Sequence, residues 1–133
     1  MASILKVDDL RGNTAAGNIT ITSEGGSATM QLQQGVAKAW VHFDGSGTVG
    51  IDDSFNIGSL TDNGTGNYTT AFSNNMNSAN YAIPTACNLN DTQADIAGST
   101  ARTSSQTTID CLHDSGSGND MNDVFGTWHG DLA

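Results

Sequence analysis

The sequence predicts an all-β fold: an antiparallel β-sandwich or jelly-roll-like head over residues 36–133, carried on a short N-terminal β attachment segment, residues 1–35. Three observations lead there. The composition is rich in Gly, Ser, Thr, Asn and Asp and poor in Lys, Glu and Leu, with Pro84 as its one proline, so turn formers outnumber strong helix formers. The stretch Ala37 to Asp44 alternates cleanly, with Ala37, Ala39, Val41 and Phe43 on one side of a pleated strand and Lys38, Trp40, His42 and Asp44 on the other. Several short strand-like segments then recur between Gly- and Asn-rich turns, the spacing of a sandwich or jelly roll. No repeat of fixed period accompanies them.

Taken in order, residues 1–34 hold three short apolar segments: Ile4 to Leu10, Asn18 to Thr22 with Ile19 and Ile21 on one face, and Ala28 to Leu32. Each offers too few side chains to build a core, so they are expected to gain stability against the head, an identical chain or a docking partner. Gln33-Gln34-Gly35 reads as the joint. After Ala37 to Asp44, Gly45-Ser46-Gly47 marks a turn and Thr48 to Asp52 a strand returning antiparallel to the first. Ser54 to Leu60 and Asn67 to Phe72 follow as further strands, with Asn63-Gly64 between them as a hairpin signal. Met76 is expected to plug the core from the next connection, and Asn80 to Ile83 to extend the sheet. Asp91 to Ser105 reads as a polar excursion anchored by Ala94, Ile96 and Ala97. Thr107 to Leu112 is a strand, Asp114 to Asp120 a flexible loop, and Asp123 to His129 the closing strand.

Charge narrows the function. The formal net charge is −10, and Lys6, Arg11, Lys38 and Arg102 are the only Lys and Arg residues. Binding to a phosphate backbone needs clustered cations, so no nucleic-acid partner is expected, and adhesion to an anionic membrane is disfavoured. No apolar run reaches the roughly 18–20 residues of a membrane span, and the N-terminus lacks the apolar region of a secretory signal, which implies synthesis in a cytoplasm without membrane insertion. The hydrophobic content of 36 % makes for a thin core, which contact between identical subunits would supplement.

Catalytic and metal chemistry find little purchase. His42, His113 and His129 stand at no ligand spacing, and Cys87 and Cys111 lack a zinc pattern. As a pair, Cys87 and Cys111 are either a disulfide or two buried thiols, the latter being commoner for cytoplasmic synthesis. The loop Asp114 to Asp120 resembles a calcium loop, but Asn119 stands where the turn glycine belongs and Phe125 where a bidentate Glu belongs. No nucleophile elbow occurs, and Glu24 is the only glutamate. No catalytic residue, metal or cofactor is therefore assigned, and the chain is expected not to be an enzyme. Trp40, flanked by His42 and Asp44 on the same strand face, is the candidate ligand site, since sugars stack on aromatic rings while carboxylates take their hydroxyls. The alternative is that Trp40 fills a second sheet or a subunit contact, the commoner fate of such a residue.

The ordered series Gly35 to Val49, Asp53 to Ile57, Thr61 to Thr69, Met76 and Ala79 to Ala82 resembles a module of tail-fibre and other virion proteins of tailed bacteriophages, especially marine and cyanobacterial ones. The module runs Ala-Trp-Val-x-Phe-x-Gly-x-Gly-Thr-Val, then Asp-Asn-Gly-x-Gly-x-Tyr-Thr, then Ala-Asn-Tyr. Met1 to Asp8 and Ala16 to Ile21 are similar to the N-termini of such proteins, and Val124-Phe125-Gly126 to the closing strand. Residues 85–123 have no counterpart. The resemblance implies a non-enzymatic virion structural protein, a homotrimer whose residues 1–35 join other virion proteins. Its expected role is that of a small tail fibre, fibre tip or spike, attaching to the host surface, including host surface glycan, through multivalent weak binding. The rivals are a capsid decoration or tail adaptor with a purely architectural role and, further off, a glycan depolymerase needing two facing carboxylates in a cleft.

Overall fold

The computed structural model describes residues 4–88 and 95–133, the latter with side chains from residue 97 onward. The chain divides into two compact units, Met1–Val36 and Ala37–Ala133. In the first, strands β1 (Thr20–Thr22) and β2 (Thr29–Gln31) form an antiparallel ribbon that pairs Ile21 with Met30, and a single helical turn, α1 (Leu32–Gly35), follows. The ribbon turns where Ser23 N–H donates to Ala28 O at 2.8 Å and Gly26 takes a φ of +73°. Ile4 to Leu10, expected as a strand, forms none, and the segment from Ala28 yields only three strand residues. Neither has enough alternating apolar side chains to hold a longer ladder.

The second unit is almost wholly β. Its strands are β3 (Ala39–Asp44), β4 (Gly50–Phe55), β5 (Ile57–Gly64), β6 (Asn67–Phe72), β7 (Thr85–Asn88), β8 (Asp95–Arg102), β9 (Gln106–His113) and β10 (Asp123–Trp128). They make two four-stranded antiparallel sheets, β4-β3-β10-β7 and β5-β6-β9-β8. The short turns keep β3–β4, β5–β6 and β8–β9 as hairpins within one sheet. That is sandwich wiring, whereas a jelly roll sends almost every strand to the opposite sheet.

The core follows the alternation. Ala39, Val41, Phe43, Val124 and Trp128 point inward from one sheet, and Tyr68, Phe72, Ile109 and Cys111 from the other. Met76, Tyr81 and Met121 complete the core from connections, so Met76 is the plug the sequence suggested. Phe72 meets Trp128 and Tyr81 edge-on, with centroids 5.5 and 5.8 Å apart. The buried polar atoms join a chain of hydrogen bonds: Trp128 Nε1 donates to Thr107 Oγ1 at 3.0 Å, and Tyr81 Oη lies 2.7 Å from Thr107 Oγ1 and donates to Thr103 O at 2.8 Å. Gly126 must lack a side chain, because a Cβ there would sit 2.8 Å from the Trp128 ring.

Four expected elements differ. Ser54 to Leu60 is two strands, not one, because Asn56 adopts φ +57° and turns the chain from one sheet to the other. Asn tolerates that left-handed conformation, and here its side chain stitches the corner: Nδ2 donates to Lys38 O and Asn74 O, and Oδ1 accepts from Asn74 N. The β5–β6 turn falls on Thr65-Gly66, with positive φ at Gly64 and Gly66, while Asn63 stays in the strand beside a bulge. Asn80 to Ile83 contributes only the isolated pairing of Ala82 with His129. Much of the expected polar excursion is strand β8, whose backbone pairing with β9 needs no apolar period. Residues 91–94, including the expected anchor Ala94, and the Ile96 side chain lie outside the described residues.

The loop after β9 is held by its own backbone. Gly116 N donates to His113 O, His113 N to Ser117 O and Asn119 N to Cys111 O, all at 2.9–3.0 Å. Behind it, Asp120 Oδ1 accepts from Gly66 N at 2.8 Å and from the fully buried Tyr68 hydroxyl at 3.0 Å, and the same hydroxyl lies 2.9 Å from Gly45 O. Burial, then the neighbouring Asp120 carboxylate, pushes the Tyr68 phenol far above its ordinary range. Cys87 and Cys111 are not joined in a disulfide, and the first is half-buried and the second buried.

Candidate functional site

Because β3 alternates, whatever faces away from the core on β4-β3-β10-β7 is displayed on the outer face of that sheet. Trp40, His42 and Asp44 all lie there, half-buried, while Ala39, Val41 and Phe43 are sealed inside. Register sets their neighbours. Trp40 stands between Phe55 of β4 and Thr127 of β10, and His42 between Asp53 of β4 and Phe125 of β10. Phe55 and Phe125 are 54 % and 42 % exposed, high values for phenylalanine on a paired sheet.

His42 is fixed from two directions. Its ring stacks on Phe125, with centroids 4.5 Å apart and planes 11° from parallel. Its Nε2 lies 3.1 Å from Asp123 Oδ1 and 3.7 Å from Asp52 Oδ2. An ionised carboxylate only accepts, so Nε2 carries a proton in this contact. A bulge between His42 and Phe43 brings Asp52 and Asp53 together on the β4 side.

Asp44 does different work. Its Oδ1 accepts from Ser46 Oγ at 2.7 Å and Ser46 N at 2.8 Å, which shapes the turn out of β3. These two bonds, the side-chain one first, hold its carboxyl below the usual carboxylate range. The three sequence-nominated residues thus share one face, with Trp40 and His42 at its middle and Asp44 tied into the turn at its end.

The sequence reading missed Phe55, Phe125, Asp52, Asp53 and Asp123. For the β10 pair a signal was present: Asp123, Phe125 and Thr127 alternate against Val124, Gly126 and Trp128, which places Asp123 and Phe125 outside. The remaining aromatics, Phe43, Tyr68, Phe72, Tyr81 and Trp128, are core. Among the described residues, no group of three or more His, Cys, Asp or Glu side chains is placed to hold a metal ion. No described helix is long and apolar enough to cross a membrane.

The N-terminal unit displays apolar side chains of its own. Ile4, Leu5, Val7, Leu10, Ile21, Met30 and Val36 are all exposed, Ile4 to 78 %. One hollow in it is lined by Ile21, Ala28 and Met30, and another by Leu10, Ile19 and Leu32. Compared with known proteins, the chain matches no family model, no curated protein and no solved structure.

Proposed function

We propose that the chain is a non-enzymatic structural protein of a tailed-phage virion, a small tail fibre, fibre tip or spike that contacts the host surface through its head. The observation that carries this reading is the outer face of β4-β3-β10-β7, where Trp40, Phe55 and Phe125 stand partly exposed among carboxylates on a rigid sheet. Isolated exposed hydrophobics are ordinary, but aromatics on three adjacent strands form a patch of the kind that recognition surfaces use. The ordered motifs from Gly35 to Ala82 support the phage assignment by resemblance. Such a flat face binds weakly, so function rests on several copies acting at once, which a trimer and many trimers per virion provide.

Residues 1–35 are the attachment segment in this reading. A ribbon of three-residue strands with both faces exposed is marginal alone, and its apolar side chains fit burial between copies of the segment or against another virion protein. That same exposure favours a second reading, a capsid decoration or tail adaptor, in which both apolar surfaces are covered in the assembled particle.

The deciding experiment is a phage carrying Trp40→Ala in this chain. Assembled virions with a folded head are expected to adsorb more weakly to host cells. Normal adsorption by fully assembled particles argues for the architectural role and removes Trp40 from the site, and loss of assembly does the same.

A further inference from the structure

The outer sheet face tells more about its occupant than that it is aromatic. Strands β3, β4, β7 and β10 contain no Lys or Arg, and the head has only Lys38, which is buried, and Arg102, which reaches toward Tyr81 O from the other sheet. Against this, Asp44, Asp52, Asp53 and Asp123 surround Trp40, His42, Phe55 and Phe125. Ionised carboxylates only accept hydrogen bonds, and the His42 Nε2 proton is already directed at Asp123. Apart from the Trp40 indole N–H, this face offers acceptors and negative charge, which favours a partner that brings donors and positive charge.

Resting on the recognition reading above, we infer that the occupant of this face is a basic protein segment whose Arg or Lys side chains lie over the aromatic rings and reach the flanking carboxylates. The chemistry matches on both counts. A guanidinium stacks on an exposed Phe or Trp ring and at the same time pairs with a carboxylate in its plane, adding a charge attraction that a neutral sugar lacks. The sheet face suits an extended segment spanning β4 to β10, where strands lie about 5 Å apart. Asp52 and Asp123 approach the same His42 Nε2 from the β4 and β10 sides, with Asp53 opposite His42 in register, so a segment crossing the face at His42 meets a cluster of carboxylates.

The test is amide chemical-shift mapping of the trimeric or monomeric full chain at low salt with two probes: a dodecapeptide alternating Arg and Ser, and a neutral dextran oligosaccharide. The peptide is expected to shift amides of β3, β4 and β10. Asp52→Asn with Asp53→Asn is expected to weaken it about tenfold, and Asp62→Asn with Asp114→Asn, an equal charge change elsewhere, less than about twofold. Equal losses from the two pairs show attraction to bulk charge and overturn the inference. Dextran shifting these amides while the peptide does not overturns it too, but leaves the recognition face standing with a sugar on it. Neither probe shifting them overturns it, and with normal adsorption of the Trp40→Ala phage the recognition reading falls as well.

Discussion

Tyr68 joins three parts of the head through one oxygen, and removing that oxygen is the sharpest test of how the head holds together. Its hydroxyl has one proton and two acceptors, Gly45 O at 2.9 Å and Asp120 Oδ1 at 3.0 Å, within a side chain of zero exposure. Tyr68→Phe opens almost no cavity, so the cost is that of the lost hydrogen bond to a carboxylate and of buried acceptors left short, about 2 kcal/mol. For a domain near 100 residues that is about 10 °C in melting temperature. Urea unfolding is expected to show a lower midpoint with unchanged slope, and combining Tyr68→Phe with Asp120→Asn to cost clearly less than the sum of the two. A loss under about 0.5 kcal/mol, or full additivity, refutes the role given to this hydroxyl. Alkali gives an independent reading. The folded state holds the Tyr68 proton because of burial and Asp120, while the unfolded chain releases it near pH 10, so stability present below that pH is lost as pH rises above it. Tyr81 acts in the same direction through its burial, against smaller opposing effects of the Thr107 hydrogen bond and Arg102. The Tyr68→Phe protein should lose stability less steeply above pH 10 than the parent.

Asn56→Ala removes both the left-handed tolerance and the bonds to Lys38 O and Asn74, and is expected to cost about 2–3 kcal/mol, with Asn56→Gly recovering the backbone share; equal costs for Ala and Gly would deny a role to the φ of +57°. Gly126→Ala drives a methyl to 2.8 Å from the Trp128 ring and 3.2 Å from Ile109 Cδ1, and thermal unfolding should report about 1–3 kcal/mol of overpacking. Thiol titration of the native protein with a bulky disulfide reagent should modify the half-buried Cys87 well before the buried Cys111, with both reacting at once in denaturant; simultaneous native reaction contradicts the burial of Cys111.

Where one side of a strand is sealed and the other wet, the sequence announced the structure. Ala39 to Asp44, Asn67 to Phe72, Thr107 to Leu112 and Asp123 to Trp128 are all legible by alternation, and they are the central strands β3, β6, β9 and β10. The edge strands β7 and β8 were missed or read as loop, because an edge is stabilised by backbone bonding to one neighbour and needs few apolar side chains. Asn56 looked like a strand residue because its role depends on Lys38 and Asn74, each 18 positions away. The same limit hid most of the candidate face. Trp40 and His42 were visible as the outward half of one strand, but Phe55, Asp53 and Phe125 joined them only through cross-strand register, which no local pattern encodes.

The pairing of β3 with β10 has a consequence for how the protein is made. The first strand of the head hydrogen-bonds to its last, Trp40 opposite Thr127 and Phe43 opposite Val124, while β4 and β7 flank them. Until β10 is synthesised and clears the ribosome, β3 has a partner on one side only and β7 has none in its sheet. The nascent head therefore leaves β3 short of a partner until β10 emerges, and it closes in a step dominated by contacts far apart in sequence. The strong excess of carboxylates keeps these half-built sheets from one another while they wait for the last strand.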